Sequence, residues 1–246
     1  MQLRLTFSMD SAALPINYRP LIHGMIYQAL AYDPAFSAVL HSAASGGDDK
    51  RSFKGFTFSP LMGQYAIAGH TIFFHRQADL EIRSRDEGLI RLLHQSFSEK
   101  QTVRLGTEEL TVTRCEMTDI HLYTNSVAIR MVSPVVAYRT DENRHTVFFS
   151  PDDEAFYSAL VRNAQRKCLH FGLAQPFDLQ ISSLNKKLPG KQFSMFKKTY
   201  ITGWFGSYLL EGDPGIIDLL YQTGLGAKNS EGFGLFIPET NKGHSF

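Results

Sequence analysis

A glycine-rich segment near the end of the chain combines residue types that could bind an anion. Within GLGAKNSEGFG these residues are Gly224, Gly226, Lys228, Asn229, Gly232 and Gly234. Such a density of glycine predicts unusual backbone angles or the close approach of another backbone. The segment precedes an expected strand and lacks a G-K-[ST] ending, so it fits neither a dinucleotide-binding turn nor a Walker loop. Backbone amides and Lys228 could bind a phosphate there. A tight helix-to-strand connection that needs glycine for its geometry is the alternative.

A second candidate is a basic stretch between Leu179 and Leu210, which contains no acidic residue. Its lysines are Lys186, Lys187, Lys191, Lys197 and Lys198, and they are interleaved with Phe193, Phe196, Tyr200 and Trp204. Lysines beside aromatic side chains suit binding of RNA phosphates, with stacking available to unpaired bases. The alternative is a solvated hairpin whose aromatic residues belong to the core.

Composition limits the class of protein. The chain has 246 residues, 25 Lys plus Arg against 24 Asp plus Glu, and a net charge of +1, which excludes a globally basic nucleic-acid coat. Two cysteines, Cys115 and Cys168, are too few for a disulfide scaffold and indicate a reducing compartment. No cluster has zinc-ligand spacing and no long apolar run occurs, so we expect a cytoplasmic protein with no membrane span, no metal and no other cofactor.

The elements that must position these segments begin with a strand, in which Leu3, Leu5 and Phe7 alternate with polar residues. A helix with Asn17 as its cap and Pro20 in its first turn should follow. The other elements predicted for the first half are a break at Asp33-Pro34, a short helix over 36–43, strands over 56–59 and 65–75, a helix over 87–97, and strands within 102–117 and 127–132.

After a predicted linker over 139–144, the same order of elements recurs. A strand over 146–149 leads into a helix capped by Ser150 and ended by Gly172. The later predicted elements are strands over 177–182 and 195–210 that should pair as a hairpin, a helix opened by Asp213-Pro214, and a strand over 233–237. Two successive β-α-β-β-α-β orders predict an α+β fold of two tandem ferredoxin-like (RRM-like) domains, residues 1–138 and 145–246. Each should be an antiparallel sheet with helices on one face.

Four motifs resemble those of the repeat-associated RNA-binding superfamily of CRISPR systems, in particular its endoribonucleases that process CRISPR precursor RNA. The motifs are LPINYRPLIHGMIYQAL over 14–30, the pair Leu40-His41, KGFTFSPL over 54–61, and GLGAKNSEGFGLF over 224–236. The resemblance implies metal-independent chemistry. The ribose 2′-OH attacks the adjacent phosphate, which leaves a 2′,3′-cyclic phosphate and a free 5′-OH.

By the same resemblance, the catalytic residues would be Tyr27, His41 and Lys54. The break at 33–34 supports this, because an antiparallel helical hairpin would bring Tyr27 and His41 level. His41 suits a general base or a general acid, although one histidine cannot serve both roles at once. Tyr27 could position the 2′-OH, and Lys54 could stabilise charge on the phosphate oxygens, with Lys50 as the alternative cation.

The sequence therefore predicts a metal-independent endoribonuclease that recognises CRISPR repeat RNA and cuts it to guide RNAs. The alternative is a non-catalytic RNA-binding subunit of a CRISPR effector complex, and a third class is a small-molecule-binding regulator. CRISPR repeat RNA, as precursor and as processed guide, is the expected partner. An effector complex and a homodimer are further partners that the resemblance leaves open.

Overall fold

The computed structural model describes residues 1–9, 12–31, 53–143, 145–196 and 199–239. The first half of the described chain contains β1 (Gln2–Ser8), β2 (Ala13–Pro15), α1 (Arg19–Leu30), β3 (Phe56–Phe58), β4 (Tyr65–Ala68), β5 (Thr71–Phe74), β6 (Gln77–Ser84), α2 (Glu87–Glu99), β7 (Thr102–Leu105) and β8 (Glu108–Thr118). The second half contains β9 (Ser126–Met131), β10 (Tyr138–Thr140), β11 (Thr146–Phe148), α3 (Glu154–His170), β12 (Leu179–Ser183), β13 (Lys191–Phe196), β14 (Thr199–Trp204), β15 (Ser207–Gly212), α4 (Pro214–Thr223), a 3₁₀ turn (Asn229–Glu231) and β16 (Phe236–Pro238).

The first sheet is antiparallel, with strand order β3-β6-β1-β8-β7. Its central strand β1 buries Leu3, Leu5 and Phe7, as their alternation predicts. Ile26 of α1 and Leu93 of α2 belong to the same hydrophobic core. The strands β2, β5 and β4 form a separate three-stranded sheet beside this unit.

The second sheet is also antiparallel, with strand order β12-β15-β9-β16. Its core combines Ile129 of β9, Leu160 of α3 and Leu219 of α4. In the first sheet β1 lies between β6 and β8, and in the second β9 lies between β15 and β16. Each unit therefore has its first strand at the inner position of the ferredoxin-like order. The predicted α+β fold of two tandem ferredoxin-like domains is confirmed.

One strand assignment from the sequence is wrong. The strand predicted over 127–132 was expected to close the first unit, but β9 pairs with β15 and β16 and opens the second. Alternation of apolar residues marks a strand without saying which sheet it joins. The predicted linker over 139–144 begins inside β10, which pairs with β11. We propose that the two units divide between β8 and β9, and not at 138–145.

The predicted hairpin of 177–182 with 195–210 separates into two pairings. Strand β12 pairs with β15 inside the second sheet. Between them, β13 and β14 pair with each other and form a separate two-stranded hairpin, and Trp204 at the end of β14 also forms a single bridge with Val135. We refer to β13 and β14 together as the basic hairpin.

The helix starts agree with the sequence in one case out of three. Asp213 caps α4, because its carboxylate accepts a hydrogen bond from the Gly215 amide at 2.6 Å. Helix α1 has Tyr18 as its cap residue, since the Asn17 side chain donates to the carbonyl of Met195 instead. Helix α3 is capped at Asp153, three residues after Ser150. The predicted helix over 36–43 lies outside the described residues. No helix in the described ranges is both long and apolar enough to cross a membrane.

Candidate functional site

A cleft of about 700 Å³ lies between the two units. Its walls come from the segment that leads into β3, from β10, from α3 and from the glycine-rich loop. The basic side chains along it that are not buried are Lys54, Arg139, Arg162, Arg166 and Lys228. Cations from elements of both units face one volume, which suits binding of a polyanion.

Two of the three predicted catalytic residues meet beside this cleft. Tyr27 is half-buried in the last turn of α1, on the flank of the apolar face formed by Ile22, Ile26 and Leu30. The ammonium group of Lys54 lies 5.4 Å from the centre of the Tyr27 ring, within cation–π range. Helix α1 and the segment that leads into β3 thus bring together residues that are 27 positions apart in the sequence.

The surroundings of Tyr27 determine what its hydroxyl can do. Burial, reinforced by the negative charge of Glu231, raises the pKa of Tyr27 to about 12. A phenol with that pKa is protonated at neutral pH and cannot act as a general base there. It can still donate a hydrogen bond and offer its ring as a packing surface.

His23 is a neighbour of Tyr27 that the sequence analysis did not single out. It lies one helical turn before Tyr27, and the two rings stack with centroids 4.4 Å apart. The ring of Phe196, from the basic hairpin, meets His23 edge-on at 5.0 Å. The i, i+4 spacing of His23 and Tyr27 was the available signal, because such pairs share one face of a helix.

Several predicted residues lie outside the described ranges. These are His41 and the alternative cation Lys50 among the catalytic candidates, and Lys197 and Lys198 among the lysines of the basic stretch. The structure therefore brings Tyr27 together with Lys54, and the roles of all three catalytic candidates stay predictions. Within the described ranges, no three His, Cys, Asp or Glu side chains form a group that could hold a metal ion.

The glycine-rich loop has the backbone geometry that its composition predicts. Gly224, Gly226, Gly232 and Gly234 all have positive φ, between 70° and 87°. A Cβ on Gly226 would lie 2.6 Å from the carbonyl oxygen of Val136, and one on Gly232 would lie 2.5 Å from the ring of Phe58.

The packing of the loop narrows its expected role. All four of its glycines are buried, and the loop packs between the two units. Loop amides donate to backbone carbonyls, as Gly234 does to Pro134 and Ala227 to Val136. We therefore propose that the glycines position the loop, and that Lys228, which is partly exposed, is its contact with RNA.

A buried lysine of α3 holds the glycine-rich loop through hydrogen bonds. Lys167 of α3 is 1% exposed, and its ammonium group donates to the Gly224 carbonyl at 2.5 Å and to Asn229 Oδ1 at 2.7 Å. The Asn229 side chain in turn donates to the carbonyls of Leu225 and Phe233. Asn229 is predicted from the sequence as an RNA contact, but its side chain makes hydrogen bonds within the glycine-rich loop. Burial lowers the pKa of Lys167 to about 7.

The basic hairpin presents different residues on its two faces. Phe193 and Tyr200 are 66% and 71% exposed, whereas Phe196 and Trp204 are buried. Lys191 is exposed, and its ammonium group lies 4.6 Å from the centre of the Phe193 ring. Lys186 and Lys187, in the segment that precedes the hairpin, are exposed as well. The outer face therefore combines free aromatic surface with positive charge.

The inner face of the hairpin packs against the start of α1. The guanidinium group of Arg19 donates to the Ser194 hydroxyl at 3.1 Å, and the Asn17 amide donates to the Met195 carbonyl at 2.6 Å. Arg19 also lies over the ring of Phe233 in the glycine-rich loop, 4.3 Å from its centre. The basic hairpin, the loop and the helix of Tyr27 thus form one continuous surface.

The fold and the glycine-rich loop define a tandem ferredoxin-like protein. Residues 116–237 match the family model "CRISPR associated protein Cas6, C-terminal". The family resemblance inferred from the sequence is confirmed.

Individual relatives agree with this assignment over nearly the whole chain. The CRISPR-associated endoribonuclease Cas6 1 of Methanocaldococcus jannaschii is 24% identical over 251 residues, which cover 98% of this chain and 94% of the relative. The structure of a Cas6-related protein from Pyrococcus furiosus has a TM-score of 0.83 at 19% identity, covering 98% of this chain and 99% of that one. A RAMP protein that binds different RNA substrates has a TM-score of 0.82 at 20% identity, covering 98% and 100%. At these identities the two solved structures support the fold.

Proposed function

We propose that this protein is an endoribonuclease that cuts CRISPR repeat RNA to produce guide RNAs. The observation that carries the proposal is the contact of Tyr27 with Lys54 at the edge of a cationic cleft, within a fold whose C-terminal region matches the Cas6 family model. The relative from Methanocaldococcus jannaschii is named an endoribonuclease, which supports the same activity.

The reaction that fits these residues uses the RNA's own nucleophile. The 2′-oxygen attacks the adjacent phosphorus, the bond to the 5′-oxygen breaks, and the products are a 2′,3′-cyclic phosphate and a 5′-OH. Lys54 supplies positive charge for the phosphate oxygens in the transition state. His41 exchanges a proton with one of the two reacting oxygens. Tyr27 holds Lys54 through its ring.

RNA binding is assigned to the surface that leads to this site. Lys186, Lys187 and Lys191 approach the phosphates, together with Lys197 and Lys198 from the same basic stretch, and Phe193 and Tyr200 offer stacking surface to unpaired bases. Because the basic hairpin contacts α1 through Ser194 and Phe196, RNA on its outer face lies next to the helix of Tyr27.

The decisive experiment uses a repeat RNA with one 2′-deoxy substitution immediately 5′ of the scissile phosphate, assayed in excess EDTA. We expect the unmodified RNA to be cut and to carry a cyclic phosphate, and the deoxy RNA to bind with unchanged affinity and resist cleavage. A metal-activated water would not need the missing hydroxyl, so cleavage of the deoxy RNA would refute the mechanism. Tight binding of the unmodified RNA without any cleavage would instead support the non-catalytic subunit.

Substitutions at the predicted catalytic residues test their assignment. His41→Ala should slow single-turnover cleavage by about 10²- to 10⁴-fold, the usual range for loss of a general acid or base, with little change in affinity. Lys54→Ala should also slow the chemical step. A Lys50→Ala variant that is far slower than Lys54→Ala would move the electrostatic role to Lys50.

Association with an effector complex and homodimerisation stay predictions. Size-exclusion chromatography with light scattering, with and without repeat RNA, measures homodimerisation directly.

A further inference from the structure

Strand β4 has one edge that no other described strand occupies. It is the last strand of the small sheet β2-β5-β4, and among the described strands it pairs with β5 alone. All of its residues are exposed. Its sequence, YAIA, contains no charged residue and no proline. Natural proteins normally protect a sheet edge with lysine, proline, a bulge or a covering segment, so this edge is open to a further strand.

The directions of the backbone groups of β4 follow from its pairing with β5. In an antiparallel pair, hydrogen-bonded residue pairs alternate with pairs that are not hydrogen-bonded. The His75 amide donates to the Gln64 carbonyl at 2.8 Å, so Ala66 lies in the next hydrogen-bonded pair along the strand. Tyr65 and Ile67 belong to the other kind of pair. Their amide and carbonyl groups therefore point away from β5, toward the free edge.

The side chains of the same two residues extend an apolar face beyond the core. Tyr65 and Ile67 lie opposite Phe74 and Ile72, whose side chains are buried. Directly opposed residues project to the same face of a sheet, so the core-facing side of this sheet continues onto β4. There it is uncovered, because Tyr65 and Ile67 are each 55% exposed. Free backbone groups beside exposed apolar side chains form a surface suited to strand addition.

The charge near this edge indicates which partner fits. Residues 55–75 contain no Asp, Glu, Lys or Arg, although 20% of the whole chain is charged. RNA or a strongly charged protein would find no complementary charge in this segment. A second copy of the chain would bring the same uncharged segment, and a net charge of +1 gives little repulsion between copies.

We propose that β4 is the interface of a homodimer, in which two copies of the chain pair their β4 strands in antiparallel orientation. A twofold axis at Ala66 places the Tyr65 groups of one copy opposite the Ile67 groups of the other. Each outward amide of β4 then meets a carbonyl, and two three-stranded sheets become one continuous sheet. The contact is the same on both copies, so it closes at two chains.

The inference goes beyond the proposed RNA cleavage and does not depend on it. None of the described residues that line the cleft comes from β4. The dimer can therefore be tested with the protein alone, without RNA.

Cysteine cross-linking tests the interface and its register together. Directly opposed residues that are not hydrogen-bonded have Cα atoms about 4.5 Å apart, which a disulfide can span. Ala66→Cys should therefore form a linked dimer with oxidised glutathione, seen on a non-reducing gel. Ala68→Cys is the matched control, because this exposed residue of β4 would be displaced from its own copy by about 14 Å along the strand. It should form no linked dimer above the background of the wild type, which keeps Cys115 and Cys168.

Sedimentation equilibrium measures the association of the unmodified protein. The wild type should dimerise between about 1 and 100 µM, the range expected for a small interface. Ile67→Lys should weaken association by about 10-fold or more, because an edge lysine opposes strand pairing. Leu169→Lys makes the same kind of change on α3 at a residue that is 56% exposed, and it should dimerise like the wild type.

Hydrogen exchange identifies the backbone groups that take part. The amides of Tyr65 and Ile67 face solvent in the monomer and are hydrogen-bonded in the dimer. Their exchange should slow by about 10-fold or more as the wild-type concentration rises through the dissociation range. If Ile67→Lys does not fold, as judged by circular dichroism, this measurement and the two cysteine variants still decide the question.

The contrary outcomes are equally specific. A wild-type protein that stays monomeric at the highest concentration has no such interface. Undiminished dimerisation of Ile67→Lys, or cross-linking through Ala68→Cys and not Ala66→Cys, would assign the contact to another surface or register. Protection of the Tyr65 and Ile67 amides that appears only with a different protein would assign the edge to that protein. Each of these results overturns the homodimer and leaves the proposed cleavage unaffected.

Discussion

Tyr27 illustrates how a residue's surroundings limit its chemistry. Its ring contacts both His23 and Lys54, while its raised pKa keeps the hydroxyl protonated. In this environment the ring makes the contacts, and the hydroxyl does not ionise at neutral pH. Tyr27 is therefore a positioning residue in the proposed mechanism.

This assignment predicts opposite results for two substitutions. Tyr27→Phe keeps the ring and should change single-turnover cleavage by no more than about threefold, because the phenol is not used as a base. Tyr27→Ala should slow it by about 10²-fold, because Lys54 loses the surface that orients it. The pH–rate profile of Tyr27→Phe should match that of wild type. Equal, large losses in both variants would show that the hydroxyl takes part directly.

The sequence predicted some of the residues around the cleft and missed others. The motifs pointed to Tyr27 and Lys54, and the structure brings them into contact. Lys167 could not be singled out, because a lysine in a sequence normally predicts an exposed side chain. Its burial depends on the packing of α3 against the glycine-rich loop, which no local sequence pattern encodes.

At the scale of elements, the lysines and the exposed aromatic residues of the basic stretch should contribute to RNA binding in ways that can be measured separately. A plot of log affinity against log salt concentration has a negative slope, because each phosphate contact releases counterions. Replacing Lys186, Lys187, Lys197 and Lys198 with alanine should reduce the magnitude of that slope by about 3. Phe193→Ala or Tyr200→Ala should weaken RNA binding by about 10-fold and leave that slope unchanged, because stacking involves no counterion.

Filter binding over a range of salt concentrations measures both quantities. Tyr65→Ala, which removes an exposed tyrosine from β4, is the matched control for the aromatic variants and should bind like wild type. A changed salt slope in Phe193→Ala or Tyr200→Ala, or an unchanged slope in the lysine variant, would contradict these separate roles of charge and stacking.

Element order was more predictable than strand partnership. Alternating or helical patterns located β1, α2, α3 and α4, because each buries one face along its own length. Strand β9 was assigned to the wrong unit because its alternation fits either sheet. Only its long-range pairing with β15 and β16 shows which sheet it joins. The polar stretch over 139–144 resembled a domain boundary in the sequence, although its first two residues belong to β10.

At the scale of the whole molecule, polar contacts tie the two units together around the cleft. Arg83 of β6 is 2% exposed, pairs with Glu81 and donates to the Phe236 carbonyl of the second sheet at 2.9 Å. The Thr57 hydroxyl donates to the Phe233 carbonyl at 3.1 Å. Both contacts cross from the first unit to the second.

Lys167 connects this arrangement to the stability of the fold, because it holds the glycine-rich loop while buried. Its pKa in the folded protein is about 7, against 10.5 for the exposed side chain. Between those values the unfolded chain binds one more proton than the folded one, so raising the pH favours folding. The free energy of unfolding of wild type, relative to Lys167→Met, should therefore rise by about 1.4 kcal/mol per pH unit from pH 7.5 to 9. Urea denaturation at several pH values measures this difference. Lys187→Met, which removes an exposed lysine, should give a curve parallel to wild type, and a parallel curve for Lys167→Met would mean that Lys167 stays charged in the folded protein.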